Sequence, residues 1–148
     1  LGAQEGDFSH GIGTPYPFRL LRYKGKPALE VQRALARLRL PGLQFKILKT
    51  KTKAGAPIEG VYTQVTDWNA LRPTEVSFYM MQLAARWDSG NPFATSKNAN
   101  LFNKHVGSSA WWKEISTRDS NARVGSFVQL WERQALEFQK KYKRYWLY

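Results

Sequence analysis

The chain has 148 residues, with 23 Lys and Arg against 11 Asp and Glu, and so a formal charge of +12. At 43% hydrophobic and 14% aromatic residues it can bury a substantial core, which excludes a wholly disordered chain. It has no Cys and two His, which excludes a disulfide scaffold, a thiol nucleophile, a Cys-ligated zinc site and a His-rich metal cluster.

Residues 1–17 hold Gly2, Gly6, Gly11, Gly13, Pro15 and Pro17 with no apolar period, and read as a loop. Residues 18–23 read as a short strand and Lys24-Gly25-Lys26 as a turn. Pro27 suits the first position of a helix, whose apolar stripe is Val31, Ala34, Leu35 and Leu38, and Pro41-Gly42 ends it. Alternation predicts a strand over 43–52, and the β-branched and aromatic run 58–66 predicts its partner across the Lys53–Pro57 loop. Asp67-Trp68-Asn69 turns the chain into a helix opened by Pro73, with Glu75 in its first turn and a stripe of Val76, Met80, Leu83, Ala84 and Trp87. Residues 89–100 read as a loop. Ser108-Ser109 caps a short helix with Trp111, Trp112 and Ile115; on a helix the adjacent Trp rings diverge, which predicts one in the core and one exposed. Ser120 or Asn121 caps the longest helix, with the stripe Val124, Phe127, Val128, Trp131, Ala135, Phe138 and Tyr142. The apolar tail 145–148 is expected to dock. The order β-α-β-β-α-α-α predicts an α+β or α/β fold, a small sheet of about three strands covered by three to four helices.

The positive charge favours polyanions, whether nucleic acid, anionic lipid or a cell-wall polymer. It gathers in Lys46, Lys49, Lys51 and Lys53, in Arg33, Arg37 and Arg39, and in Lys140, Lys141, Lys143 and Arg144. Such clusters also serve simply as solvated faces, and no RNA-binding, zinc-finger or helix-turn-helix signature accompanies them. No apolar run approaches the roughly 20 residues of a membrane span. Leu1-Gly2-Ala3-Gln4 resembles neither a signal nor a transit peptide, so the chain reads as a mature or processed protein, or a piece of a longer one.

Candidate chemistry concentrates in two places. Glu5, Asp7 and His10, with Ser9 and Thr14, share a Gly-rich loop; they fit proton transfer or sugar-hydroxyl binding, or equally an exposed polar arm. Asp67-Trp68-Asn69 fits an aromatic sugar platform beside a carboxylate, or equally a turn in which Asp67 bonds backbone N–H groups and Trp68 packs as a hinge. Glu5 and Asp67 are candidates for the paired acids of a glycosidase. His105 near Ser108 lacks a nucleophile elbow and fits a histidine bonded to backbone near a turn. Gly11-Ile12-Gly13 lacks the rest of a phosphate loop.

Several segments, in order, resemble the C-terminal part of the exo-β-N-acetylmuramidase (NamZ-like) glycoside hydrolase family. Glu5-Gly6 through Ser9-His10-Gly11-Ile12-Gly13-Thr14 to Pro17-Phe18 resembles its E-G-T-x-x-S-x-G-R-G-T-x-x-P-F segment. Residues 40–45 resemble L-P-G-V-x-F, Gly60-Val61 to Val65-Thr66-Asp67 resembles G-V-x-x-x-V-T-D, and Arg72-Pro73 follows as R-P. Trp131, Phe138 and residues 145–148 resemble W-x-x-x-x-x-x-F and Y-L-L-Y. The segment departs in being one residue shorter, with Ile12 in place of Arg and His10 at a variable position; Ile58-Glu59-Gly60 replaces C-G-G.

The resemblance implies an exo-acting enzyme that removes terminal N-acetylmuramic acid from peptidoglycan fragments without metal or cofactor, at the cell envelope, periplasmic or secreted. It implies a cleft between a Rossmann-like N-terminal domain and this one, with residues 1–17 as a cleft-side arm and 18–148 as the domain proper. Carried over residue by residue, Glu5, Ser9, Gly11, Gly13 and Thr14 would face the sugar, with His10, Asp67 and Trp68 added from the residue reading and Glu5 the catalytic candidate. Most catalytic groups would lie in the other domain, leaving this chain inactive alone. The lactyl carboxylate of muramic acid would suit a basic, aromatic surface. The alternatives are a non-catalytic binding module for peptidoglycan or another anionic polymer and, less favoured, a nucleic-acid binder.

Overall fold

The computed structural model describes residues 6–146. Its sheet contains β1 (Phe8–Ser9), β2 (Leu20–Tyr23), β3 (Leu43–Lys51) and β4 (Pro57–Val65), ordered β1-β2-β4-β3 and antiparallel throughout. The helices are α1 (Ala28–Arg37), α2 (Pro73–Trp87), α3 (Pro92–Thr95), α4 (Ala99–Val106), α5 (Ser109–Arg118) and α6 (Val124–Tyr142). One-turn 3-10 segments follow α5 (Asp119–Asn121) and α6 (Lys143–Tyr145). The fold is therefore α+β.

The sheet is larger than expected by β1, which arises inside the Gly- and Pro-rich arm. Two residues carry no readable alternation, yet Phe8 is buried, with its ring 5.0 Å from Tyr23 and 5.8 Å from Trp87. Strand β2 starts at Leu20 rather than residue 18, because the backbone at Phe18 is left-handed (φ 61°) and cannot extend a ladder. The β3–β4 hairpin pairs Leu43 with Val65 through to Lys51 with Pro57. Its register, with Leu21 opposite Val61, places Leu21, Phe45 and Val61 on one face, toward the main core. Leu20 faces the other way and is completely buried beneath the arm.

Helix α1 opens with Pro27 as its N-cap rather than its first turn, and buries Val31 and Leu35. Pro73 does occupy the first turn of α2. Helix α2 is the centre of the molecule and is apolar on two opposite sides. One side carries the predicted stripe, ending in Trp87 against Tyr23 (4.8 Å). The other carries Phe78, Met81 and Ala85, all buried against the later helices. Phe78 lies 4.7 Å from both Trp111 and Trp131, and Trp111 Nε1 donates to Met81 Sδ at 3.2 Å.

Residues 89–100 are not all loop. Asn91 accepts from Phe93 N (3.1 Å) and donates to the carbonyls of Ile115 (2.9 Å) and Ser116 (3.1 Å), so Asn91-Pro92 starts α3 instead of a turn. Both Trp111 and Trp112 are buried, because α5 is sandwiched: Trp111 meets Phe78 and Phe127, and Trp112 meets Phe93 and Phe102. The cap of α6 is Arg123, since Ser120 and Asn121 are taken up in the 3-10 turn. Glu114 holds the start of α6 to α5, accepting from Arg123 N (3.0 Å) and Nε (3.1 Å). The predicted α6 stripe packs only through Trp131; Ala135 and Phe138 are exposed. Tyr145 and Trp146 are also exposed rather than docked, while Leu147 and Tyr148 lie outside the described residues. No helix among the described residues is long and apolar enough to cross a membrane.

Candidate functional site

The arm is shaped by its backbone. Gly11 has φ +78°, and a Cβ there would lie 2.3 Å from the Tyr16 carbonyl and 3.0 Å from Leu20 Cβ, so only glycine fits. Thr14 is buried; its Oγ1 donates to the Gly11 carbonyl at 2.7 Å and accepts from Tyr16 N at 3.1 Å. Gly13 gives its carbonyl to Lys53 N at 2.8 Å, tying the arm to the β3–β4 hairpin. Gly11, Gly13 and Thr14 therefore build the loop. The Phe18 N–H donates to the His10 carbonyl, and the two rings stand edge to face, 5.2 Å apart.

This turn forms one rim of a groove of about 430 Å³ between the sheet and the start of α2. Leu21, Leu43, Val65, Val76 and Met80 make an apolar floor. Phe18, 69% exposed, stands on the arm side, and Trp68, 75% exposed, on the β4–α2 side. A non-glycine residue held in the left-handed region is the kind of local strain that accompanies binding sites. Arg19 lies at the rim, its Nε donating to the Thr63 carbonyl (3.2 Å) and its guanidinium 4.6 Å from the Tyr62 ring centre. No described residue accepts from its two terminal nitrogens. Thr63 also lines the groove, and its buried Oγ1 has no hydrogen-bond partner among the described residues. Burial lowers the His10 pKa, which favours the neutral imidazole at the rim. The groove thus combines aromatic walls with a few polar groups, the composition of a small-ligand site. None of its lining residues is a carboxylate among the described residues.

Of the residues singled out from sequence, the groove gathers His10 and Trp68. Ser9 pairs with Arg22 in β1 and lines a separate hollow beside it with Asp7, His10 and Ile12. Asp67 directs Oδ1 to the backbone N–H groups of Asn69 (2.8 Å) and Ala70 (3.3 Å), while Trp68 is not packed as a hinge. Glu5 lies outside the described residues. His105 is exposed on the last turn of α4, two residues before the left-handed Gly107 that ends the helix. No group of three or more His, Cys, Asp or Glu among the described residues could hold a metal. Phe18 and Arg19 also line the groove, where the sequence reads only the start of a strand; the P-F of the arm motif marks Phe18, and nothing in the sequence marks Arg19.

A family model described as the C-terminal region of exo-beta-N-acetylmuramidase NamZ matches residues 1–148. No curated protein matches the chain. Among solved structures, the chain is similar to a DUF1343 family protein from Bacteroides fragilis NCTC 9343, with a TM-score of 0.79 and 25% identity. That likeness covers 99% of this chain and 40% of the other, so the chain spans well under two thirds of its relative's length. A C-terminal domain in this family implies a separate N-terminal one. The match over these residues, together with a fold shared with a DUF1343 protein, shows that the chain belongs to the NamZ family of glycoside hydrolases, as its C-terminal domain.

Proposed function

We propose that this domain supplies one wall of the substrate cleft in an exo-acting β-N-acetylmuramidase that removes terminal N-acetylmuramic acid from peptidoglycan fragments at the cell envelope, periplasmic or secreted. The observation that carries this reading is the groove between Phe18 and Trp68 with Arg19 at its rim. A pyranose ring stacks on an exposed indole, and the lactyl carboxylate pairs with the two terminal nitrogens of Arg19. The orphan Thr63 hydroxyl and the neutral His10 ring are hydrogen-bonding groups for the sugar's amide or hydroxyls. Glycoside hydrolysis ordinarily needs two carboxylates, and none lines the groove among the described residues; at least one acid then comes from the N-terminal domain, which leaves the isolated domain inactive.

The test uses the protein with its N-terminal domain and a chromogenic muramide. Trp68→Ala and Arg19→Met each raise KM about tenfold or more, the scale of one lost stacking or charged contact. Unchanged KM in both variants, or hydrolysis by the isolated domain, refutes the proposal. A second reading, a binding module for anionic polymers, draws support from a concavity of about 600 Å³ lined by Arg33, Arg37 and Arg86 beside Leu29 and Trp87. Retention on insoluble peptidoglycan that collapses with salt favours that reading; salt-insensitive retention favours the sugar groove.

A further inference from the structure

We infer that the outer half of α6 is the seat on which the N-terminal domain docks, and that it holds that domain over the groove; this rests on the family's two-domain organisation and on the groove as the sugar site. The apolar stripe of α6 keeps one period from Val124 to Tyr142, but only its first half has a partner. From Glu132 to Lys141 every residue is exposed, about 15 Å of helix. Ala135 and Phe138 on that length, with the half-buried Tyr142 just beyond it, continue the line of Phe127 and Trp131. Phe138 is 59% exposed and Trp146 53%. The patch is ordered within itself: Phe138 and Tyr142 lie 4.4 Å apart, and Tyr145 is 6.2 Å beyond. Contiguous exposed aromatics on a helix whose other half is core mark an interaction surface.

Two observations choose the occupant. First, Trp131, Glu132 and Ala135 border a concavity shared with Arg72, Thr74 and Glu75 at the first turn of α2, where Arg72 pairs with Glu132. The adjoining Pro73, Val76 and Ser77 line the sugar groove, so the stripe rises beside the groove's mouth. A body that extends from the stripe past the first turn of α2 would reach the groove. Second, this chain accounts for only 40% of its structural relative's length, which leaves a body large enough to do so.

The test compares the two-domain protein with its Phe138→Asp and Tyr142→Asp variants under limited trypsin. Lys140, Lys141, Lys143 and Arg144 are the reporter sites, being exposed unless α6 is covered. Cleavage there is expected to run about tenfold or more faster in the variants, since it tracks the undocked population. Circular dichroism confirms that each variant is folded, and Leu101→Asp, exposed on α4, is the control expected to leave the rate unchanged. Equal rates in wild type and variants overturn the inference. So does protection that depends on protein concentration, which means a second copy, or protection only with anionic vesicles, which means a membrane surface. The outcomes separate from those of the groove: Trp68→Ala alters KM without exposing the lysines, and if the groove reading fails, the α6 variants still expose them.

Discussion

Phe78 is the sharpest probe of how this domain is held together. It is 2% exposed, sits on the side of α2 that faces the later helices, and touches Trp111 of α5 and Trp131 of α6 at the same 4.7 Å separation. Truncation to alanine removes the ring from a packed site that backbone on both sides prevents from collapsing, at a cost of about 3–5 kcal/mol. Two aromatic contacts beyond their buried area add about 0.5–1.5 kcal/mol each. Against a total stability of order 5–15 kcal/mol, Phe78→Ala should therefore remove about a quarter or more of it. The assay is urea unfolding followed by far-UV circular dichroism, with Val76→Ala as comparison because Val76 is only half-buried and lies on the opposite, groove-lining side. Val76→Ala is expected to cost about 1 kcal/mol. A loss below about 1 kcal/mol for Phe78→Ala, or one no larger than that of Val76→Ala, refutes the account of α2 as a two-sided central helix.

Two further substitutions test local claims. Gly42 has φ +72° and a Cβ there would meet the Asp67 carbonyl at 2.3 Å, so Gly42→Ala should destabilise by more than about 1 kcal/mol and, by displacing the Trp68 turn, raise KM in the two-domain enzyme. Chemical denaturation and the muramide assay read the two effects, and a neutral result in both disproves the close approach. The Glu114 carboxyl is held below its ordinary value, chiefly by the hydrogen bond from the Arg123 side chain and against the opposing effect of burial. Because its folded value is the lower one, its contribution is complete above the ordinary carboxylate range near about 4.3 and is lost as pH falls through the folded value. The stability gap between wild type and Glu114→Gln should accordingly shrink on acidification; a gap that widens contradicts the assignment.

The elements with a long period were legible in the chain: α1, α2, α5, α6 and the β3–β4 hairpin all follow from apolar spacing, Pro at helix starts and β-branched runs. The elements that escaped are the shorter ones: β1, α3 and the eight-residue α4, which buries only Phe102 and so shows no stripe. A strand as brief as β1 and a helix as brief as α3 carry no period, and what holds them is a distant contact: Phe8 on Trp87, Asn91 on the end of α5. The second apolar side of α2 was hidden for a related reason, since a stripe announces that a face is buried but not that the opposite face is buried too.

The candidate site divides along the same line. The chain alone marked the Gly-rich arm and the Asp67-Trp68 turn as places where polar and aromatic residues collect, because turn chemistry is local and depends on glycine, proline and short polar side chains. Only the folded molecule separated the residues that build the arm, Gly11 and Thr14, from those that the groove presents, His10, Phe18, Arg19 and Trp68. It also left the outer half of the α6 stripe without a partner. Amphipathicity is written in residue order, but which surface covers it depends on what the rest of the chain brings within van der Waals reach, and that is a property of three dimensions.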